Sequence, residues 1–404
     1  MKRELDDWIT GYLQYTSNTE PTMMYHLWSA ISVIAAVLQR KCFLEWGTLT
    51  FYPNMYVVLV GPPAARKGTA MNMARPFLEQ LSVGVAAEAI TREALIRELN
   101  NSGSTEITSD GSMIFHASLT IWSQELTVFL GYQNQQLMSD LTDWYDCRDK
   151  WIYRTKHEGV DEIDGVYVNL FGATTPDLIK STLPLDAIGG GLTSRMIFVH
   201  ERNKGKVVPY PDLGPTGYEL EPKLQSDLAR IHAMNGRFRT NSAFMEKWVK
   251  WYPSQEGRHK FEDTRFEGYL ERRANHVMKL SMIVNASRTE DMVITEGDLT
   301  RAIAILTETE ENMASTFSGV GELSYSTVME KISRDIVSNR TMLASEILRK
   351  YRSDVDKWRL DTVLETFSAQ KRFKIISLPD GDIRIISVLA LEKNQVDMEG
   401  NLLD

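Results

Sequence analysis

Apolar residues recur along this chain in two rhythms, a helical spacing and short unbroken runs, and the rhythms alternate. In residues 4–40, Trp8, Ile9, Tyr12 and Leu13 share one face of a first helix, and residues 23–38 are apolar nearly all round, as in a buried second helix. Short strands follow at 42–51, and the apolar run 55–60 predicts a strand buried on both faces. Next come a helix at 69–81, another at 91–99 capped by Thr91, and a polar loop at 101–112. A second buried strand, 118–122, ends at Ser123-Gln124-Glu125. The alternating segment 151–156, a turn at Gly159 and a return strand at 166–171 predict a hairpin feeding a core strand.

Helices alternating with buried strands predict an α/β fold with a parallel sheet. Residues 205–222 contain Pro209, Pro211, Pro215 and Pro222 and read as a connector. Beyond them the pattern is helical to Phe317, with a break at 318–321. Helices at 325–338, 343–349 and 357–371, then strands at 373–378 and 383–388 around Pro379-Asp380-Gly381-Asp382, predict a winged helix. The expected organisation is a helical N-terminal region at 1–45, a core at 46–204, a connector and helical lid at 205–318, a winged helix at 322–392 and a tail at 393–404.

Composition narrows the classes. Forty-three per cent apolar residues suit an ordinary globular chain, and no run approaches the ~18 apolar residues of a membrane span. The first residues lack an apolar signal core, so a cytoplasmic location in a bacterial host is expected. Two cysteines and seven histidines without ligand spacing argue against a disulfide framework or structural zinc. The net charge of −9 argues against bulk coating of nucleic acid. Residues 325–390 carry 12 Lys and Arg against 9 Asp and Glu, or +3, which leaves −12 on the rest.

The candidate chemistry begins directly behind the 55–60 strand, at Gly61-Pro62-Pro63-Ala64-Ala65-Arg66-Lys67-Gly68-Thr69. A buried strand, a glycine-bounded loop and a helix aim backbone N–H groups and a helix N-terminus at an anion, and Lys67 has the spacing that reaches β- and γ-phosphates. ATP is the expected ligand, with Mg2+ on Thr69. Two positions are irregular: Arg66 stands where a second glycine is usual, and Gly68 where a hydroxyl is usual. Phosphoanhydride hydrolysis also needs an oriented water and positive charge. Glu125 is the candidate to polarise the water, or else a solvated strand-end cap. Gln124 stands where an aspartate would hold the metal's water shell. Gly172-Ala173-Thr174-Thr175-Pro176 puts two hydroxyls at a strand's carboxyl end, Thr174 for the γ-phosphate or its water and Thr175 as a helix cap. Gly189-Gly190-Gly191 precedes Arg195, which reads either as a charge donor to a neighbouring subunit's nucleotide or as a surface salt bridge.

In this order of features, residues 5–310 resemble the phage, plasmid and mobile-element ATPases associated with helicases and primases. The residues that carry the likeness are 61–69, Glu125, 172–176 and 191–195. The helices at 268–286 and 295–306 look like the lid of AAA+ helicases of the minichromosome-maintenance type, which by resemblance makes Arg272 a lid arginine on the nucleotide. The resemblance implies a P-loop AAA+-like core, a homo-oligomeric, hexameric ring, and ATP-driven DNA helicase or translocase activity in replication, with a primase or other replication proteins as partners. The other class is a nucleotide-gated initiator or loader that binds ATP and DNA with little turnover, favoured by Arg66, Gly68 and Gln124. In such rings a hairpin projects into the channel, which places Lys150, Arg154, Lys156 and His157 against a single DNA strand, with Trp151 or Tyr153 stacking or packing. Lys357, Arg359, Lys371 and Arg372 of the winged helix are further DNA candidates, although such folds also bind proteins.

Overall fold

The computed structural model describes residues 3–108, 111–131, 134–155, 159–182, 190–257, 264–317, 324–352, 355, 357–379, 381–393 and 396–397. Two helices, α1 (Trp8–Tyr15) and α2 (Met23–Leu38), precede strands β1 (Cys42–Trp46), β2 (Leu49–Phe51) and β3 (Tyr56–Val60). Then come α3 (Lys67–Glu79), α4 (Arg92–Asn101), β4 (Gly103–Ile107), β5 (Met113–Ser123), α5 (Leu126–Leu130) and α6 (Gln135–Tyr145). A hairpin of β6 (Lys150–Thr155) and β7 (Gly159–Asp164) leads to β8 (Val166–Thr174), α7 (Pro176–Thr182) and β9 (Met196–His200). Helix α8 (Gly214–Ala233), β10 (Gly236–Thr240), α9 (Ser242–Trp251), α10 (Glu267–Arg288), β11 (Val293–Ile294) and α11 (Glu296–Met313) close the first compact unit, Met1–Ser318.

The fold is mixed α/β. Its main sheet has the order β4-β5-β8-β3-β9, in which β5, β8, β3 and β9 run parallel and β4 lies antiparallel at one edge. Every residue of β3, β8 and β9 is buried, as the apolar runs require for strands covered on both faces. The buried helix α2 packs on α3 and on β3, β8 and β9. A second sheet, β11-β10-β1-β2, joins the N-terminal strands to the segment expected to be a separate lid. The three segments 1–45, 46–204 and 205–318 therefore share one compact unit.

Several expectations are corrected. The polar stretch 101–112 contains the edge strand β4, whose side chains are mostly exposed because only β5 pairs with it. The hairpin's return strand is β7, and 166–174 is a separate core strand reached through Gly165. Gly165 has φ +66° and a Cβ there would stand 2.2 Å from the Phe115 carbonyl oxygen. The connector at 205–222 is helical from Gly214, and two short strands, β10 and β11, interrupt the helical stretch that follows.

The second compact unit, Gly319–Asp404, holds α12 (Ser324–Asn339), β12 (Thr341–Leu343), α13 (Ala344–Lys350), α14 (Lys357–Ala369), β13 (Phe373–Ser377), β14 (Ile383–Ser387) and α15 (Val388–Glu392). Its antiparallel sheet has the order β12-β14-β13, and Ile332, Ile336, Ile347, Val363, Phe367 and Ile385 belong to its own core. No helix of the described residues is long and apolar enough to cross a membrane.

Candidate functional site

Register brings the sequence-distant candidates level with one another. Val60 is paired with Thr174, and Gly172, two residues earlier, with Ser123. The carboxyl ends of β3, β8 and β5 therefore deliver the 61–66 loop, Thr174 and Gln124-Glu125 to one edge of the sheet, where ligands of open parallel sheets sit. They surround a cavity of ≈ 490 Å3, lined among others by Arg66, Lys67, Gly68, Thr69, Gln124, Glu125, Thr174 and Thr175.

The loop is braced from beneath. Tyr25 of α2 donates its hydroxyl to the Val60 carbonyl (2.7 Å), and a Cβ on Gly61 would stand 2.5 Å from that hydroxyl and 2.6 Å from the Glu201 carbonyl oxygen. Only glycine fits there. The Gly61 N–H donates to the Thr174 carbonyl (3.4 Å), and Ala65 N–H to Pro62 O (3.2 Å). Gly61, Pro62 and the buried Ala65 shape the loop from below and do not line the cavity. Ala64 and Arg66 both take positive φ, 68° and 65°, a cost carried by two non-glycine residues at the entry to α3.

Lys67 donates to the carbonyls of Gly61 (2.7 Å) and Pro62 (3.0 Å), so its ammonium is folded over the loop. Partial burial holds its pKa below the ordinary lysine value, and the Glu125 charge opposes that shift. Thr69 is exposed at the first turn of α3. Gly68 has a local reason: a Cβ would lie 3.0 Å from Gln124 Oε1. Gln124 donates from Nε2 to Asn72 Oδ1 (2.6 Å), so Gly68 and Gln124, each a departure from the usual residue, accommodate each other. Asn72 was not foreseen, although it stands four residues beyond Gly68 and hence on the same helix face. Glu125 is exposed at the N-cap position of α5, where its side chain makes no capping hydrogen bond. Thr174 is buried with its hydroxyl 3.4 Å from the Thr175 carbonyl, and Thr175 Oγ1 accepts from Leu178 N–H (3.4 Å), as a helix cap does.

Arg195 and Arg272 lie elsewhere. Because Met196 pairs with Tyr56 and His200 with Val60, Arg195 stands at the amino end of the parallel strands, about 16 Å of strand away from the loop. Its guanidinium is buried and donates to Asp146 (2.6 Å) and to the Gly191 carbonyl (2.8 Å). Arg272 comes within 3.9 Å of the same carboxylate and does not line the cavity. The adjacent Arg273 is instead buried against Glu310 (2.6 Å).

The hairpin candidates divide by face. Trp151 and Tyr153 stack and turn inward, Trp151 against Trp144 and Tyr153 beneath the Arg92 guanidinium. Packing, not stacking on a ligand, occupies these rings. Lys150, Ile152 and Arg154 are exposed, with Lys150 paired to Glu162 (2.6 Å). Lys156 and His157 lie outside the described residues. Over 150–164 the sequence sets Lys150, Arg154 and Lys156 against Glu158, Asp161, Glu162 and Asp164, so the hairpin is not a positive element. In the C-terminal unit Lys357, Asp361 and Glu365 are exposed at successive helical turns of α14, and Lys371 and Arg372 are exposed beyond it. The Arg359 side chain lies outside the described residues. No protein-family model and no curated protein matches this chain.

Proposed function

We propose that the protein binds ATP at the 490 Å3 cavity and hydrolyses it within a homo-oligomeric ring, as a helicase- or translocase-like ATPase acting on DNA. The observation that carries the reading is the convergence of Lys67, Thr69, Gln124, Glu125 and Thr174 from three parallel strands on one cavity beside a helix N-terminus. In this reading the core is a P-loop AAA+-like domain and the C-terminal unit a winged helix.

The loop amides and the Lys67 ammonium would take the β- and γ-phosphates, which would draw Lys67 off the Gly61 and Pro62 carbonyls. Glu125, exposed to solvent and with no capping hydrogen bond on its side chain, would accept a proton from water attacking the γ-phosphorus. The Thr174 hydroxyl would orient that water or the γ-oxygens. Magnesium would be held by Thr69, with the Gln124 amide oxygen toward its water shell. When bound, it would neutralise charge on the β- and γ-oxygens. Arg195 would serve the nucleotide of an adjacent copy, for which its buried guanidinium would have to leave Asp146.

A nucleotide-gated initiator or loader is the second reading, favoured by the neutral Gln124 bound to Asn72 and by the balanced charge of the hairpin. The test is ATP turnover of the purified chain with and without single-stranded DNA, for wild type and Glu125→Gln. DNA-stimulated turnover that falls at least ~100-fold in Glu125→Gln, with binding kept, supports the motor. Tight ATP binding without turnover supports the switch, and binding that survives Lys67→Ala unchanged refutes the site.

A further inference from the structure

Glu20, in the connection between α1 and α2, faces the irregular arginine of the loop. Its Oε2 accepts from Arg66 Nε at 2.6 Å, and its Oε1 accepts from Lys204 Nζ at 2.5 Å and from Val208 N–H at 3.5 Å. Its backbone carbonyl accepts from the Gly205 and Lys206 N–H groups. The carboxylate is therefore fixed at both oxygens, with its pKa lowered by Lys204 first and by Arg66. Arg66 in turn is fixed at Nε alone. Among the described residues its two terminal nitrogens make no hydrogen bond, and its half-exposed side chain lines the cavity beside Lys67 and Thr69. A guanidinium held at Nε presents Nη1 and Nη2 as a planar fork, the arrangement that grips two phosphate oxygens.

We propose that Glu20 is a positioning residue that aims the Arg66 fork at the phosphates, and that this clamp supplies part of the charge neutralisation otherwise left to a divalent ion. The inference rests on the reading of the cavity as a triphosphate site. Local chemistry points the same way. Gln124 is neutral and engaged with Asn72, and Gly68 offers no hydroxyl, so the cavity's metal-directed oxygens are few while its cations, Lys67 and Arg66, are two. Triphosphate binding accordingly keeps a metal-independent component that depends on Arg66 and on Glu20.

The experiment is calorimetric titration of the full chain with ATP and with inorganic tripolyphosphate, in EDTA and in excess Mg2+, for wild type, Lys67→Ala, Arg66→Ala, Arg66→Lys, Glu20→Ala and Glu20→Gln. Wild type is expected to bind both probes in EDTA. Arg66→Ala loses about tenfold or more there, the equivalent of a charge-assisted hydrogen bond, and less in Mg2+. Arg66→Lys restores charge without the fork and regains only part of the loss. Glu20→Ala weakens EDTA binding, whereas Glu20→Gln, which keeps an oxygen for Nε, retains most of it; a merely structural role for Glu20 would lower the unfolding temperature without splitting EDTA from Mg2+ affinities. Unchanged EDTA affinity in Arg66→Ala, or tighter binding in Glu20→Ala, overturns the clamp while Lys67→Ala still reports on the site. No binding of either probe by wild type overturns the nucleotide reading and the clamp with it.

Discussion

Three histidines show how single side chains set the pH range of this protein. Burial pushes His26 and His116 down to about 4 and His276 to about 3, from an ordinary value near 6.5. The unfolded chain thus binds protons on these rings at a pH where the folded chain does not, and stability falls as pH drops through 6.5 toward 4. At pH 5 each ring would cost up to ~2 kcal/mol. Chemical denaturation at pH 7 and pH 5 is expected to show that loss, and His276→Phe is expected to reduce it. Lys279 acts in the alkaline direction. Burial lowers it to about 8, with Asn54 as its hydrogen-bond partner and the Tyr145 ring 4.3 Å from its ammonium. The folded state therefore carries a penalty below pH 8 that is relieved as pH rises from 8 toward 10. Buried Cys42 and Cys147, whose thiols are pushed up, act oppositely at alkaline pH, so the Lys279 contribution is read as a difference: denaturant midpoints of Lys279→Met should gain less, or lose more, than wild type between pH 8 and 10. The candidate residues were unequally visible at this scale: Lys67 and Glu125 follow from local spacing, whereas Glu20 lies 46 residues from Arg66 and Asp146 lies 49 from Arg195, and no local pattern links such pairs.

Elements in this chain are legible where their reasons are local. Thr91, Thr22, Asn241 and Asp7 each accept from a backbone N–H in the first turn of their helix, and Thr295 with Asp298 makes a reciprocal capping box on α11. Asp298 is almost wholly buried and also accepts from Asn285 and Arg288, so it ties α11 to α10. Asp298→Ala is expected to cost about 3 kcal/mol in thermal or denaturant unfolding, because it leaves a cap, a guanidinium and an amide without their acceptor. Exposed pairs behave differently. Lys150→Ala removes an ion pair that is about half-exposed at both ends, and the denaturant midpoint should not shift measurably. Any effect of Lys150→Ala on single-stranded DNA affinity would then report contact at the hairpin. β4 and β11 escape the apolar pattern because an edge or two-residue strand owes its existence to its pairing partner, and β10, an interior strand, escapes it because Gly236–Thr240 offers one apolar residue, Phe238, between two arginines.

At the scale of the whole molecule, two units each possess their own core, one ending at Ser318 and the other beginning at Gly319. Chains 1–318 and 319–404 expressed separately should each unfold cooperatively, and the first should retain the ATP affinity of the full chain, measured by calorimetry. Loss of cooperative unfolding in either fragment would contradict that independence. Ring assembly belongs to this scale too. If a neighbour's Arg195 completes the site, Arg195→Ala should lower turnover ~100-fold or more while leaving ATP binding nearly unchanged, and mixing it with Glu125→Gln chains should restore part of the rate.

The sequence alone determined the alternation of buried strands and helices, the break near residue 318 and the loop at 61–69, because periodicity, caps and glycine placement act over a few residues. The tertiary structure alone decided which candidates meet. Parallel register carried Thr174 and Glu125 to the loop, set Gln124 beside Gly68 and held Arg195 at the other end of the strands, while the connection between α1 and α2 gave Arg66 a carboxylate. The physical reason is that strand pairing and side-chain ion pairs join residues that are far apart along the chain, and only the folded chain brings such residues within bonding distance.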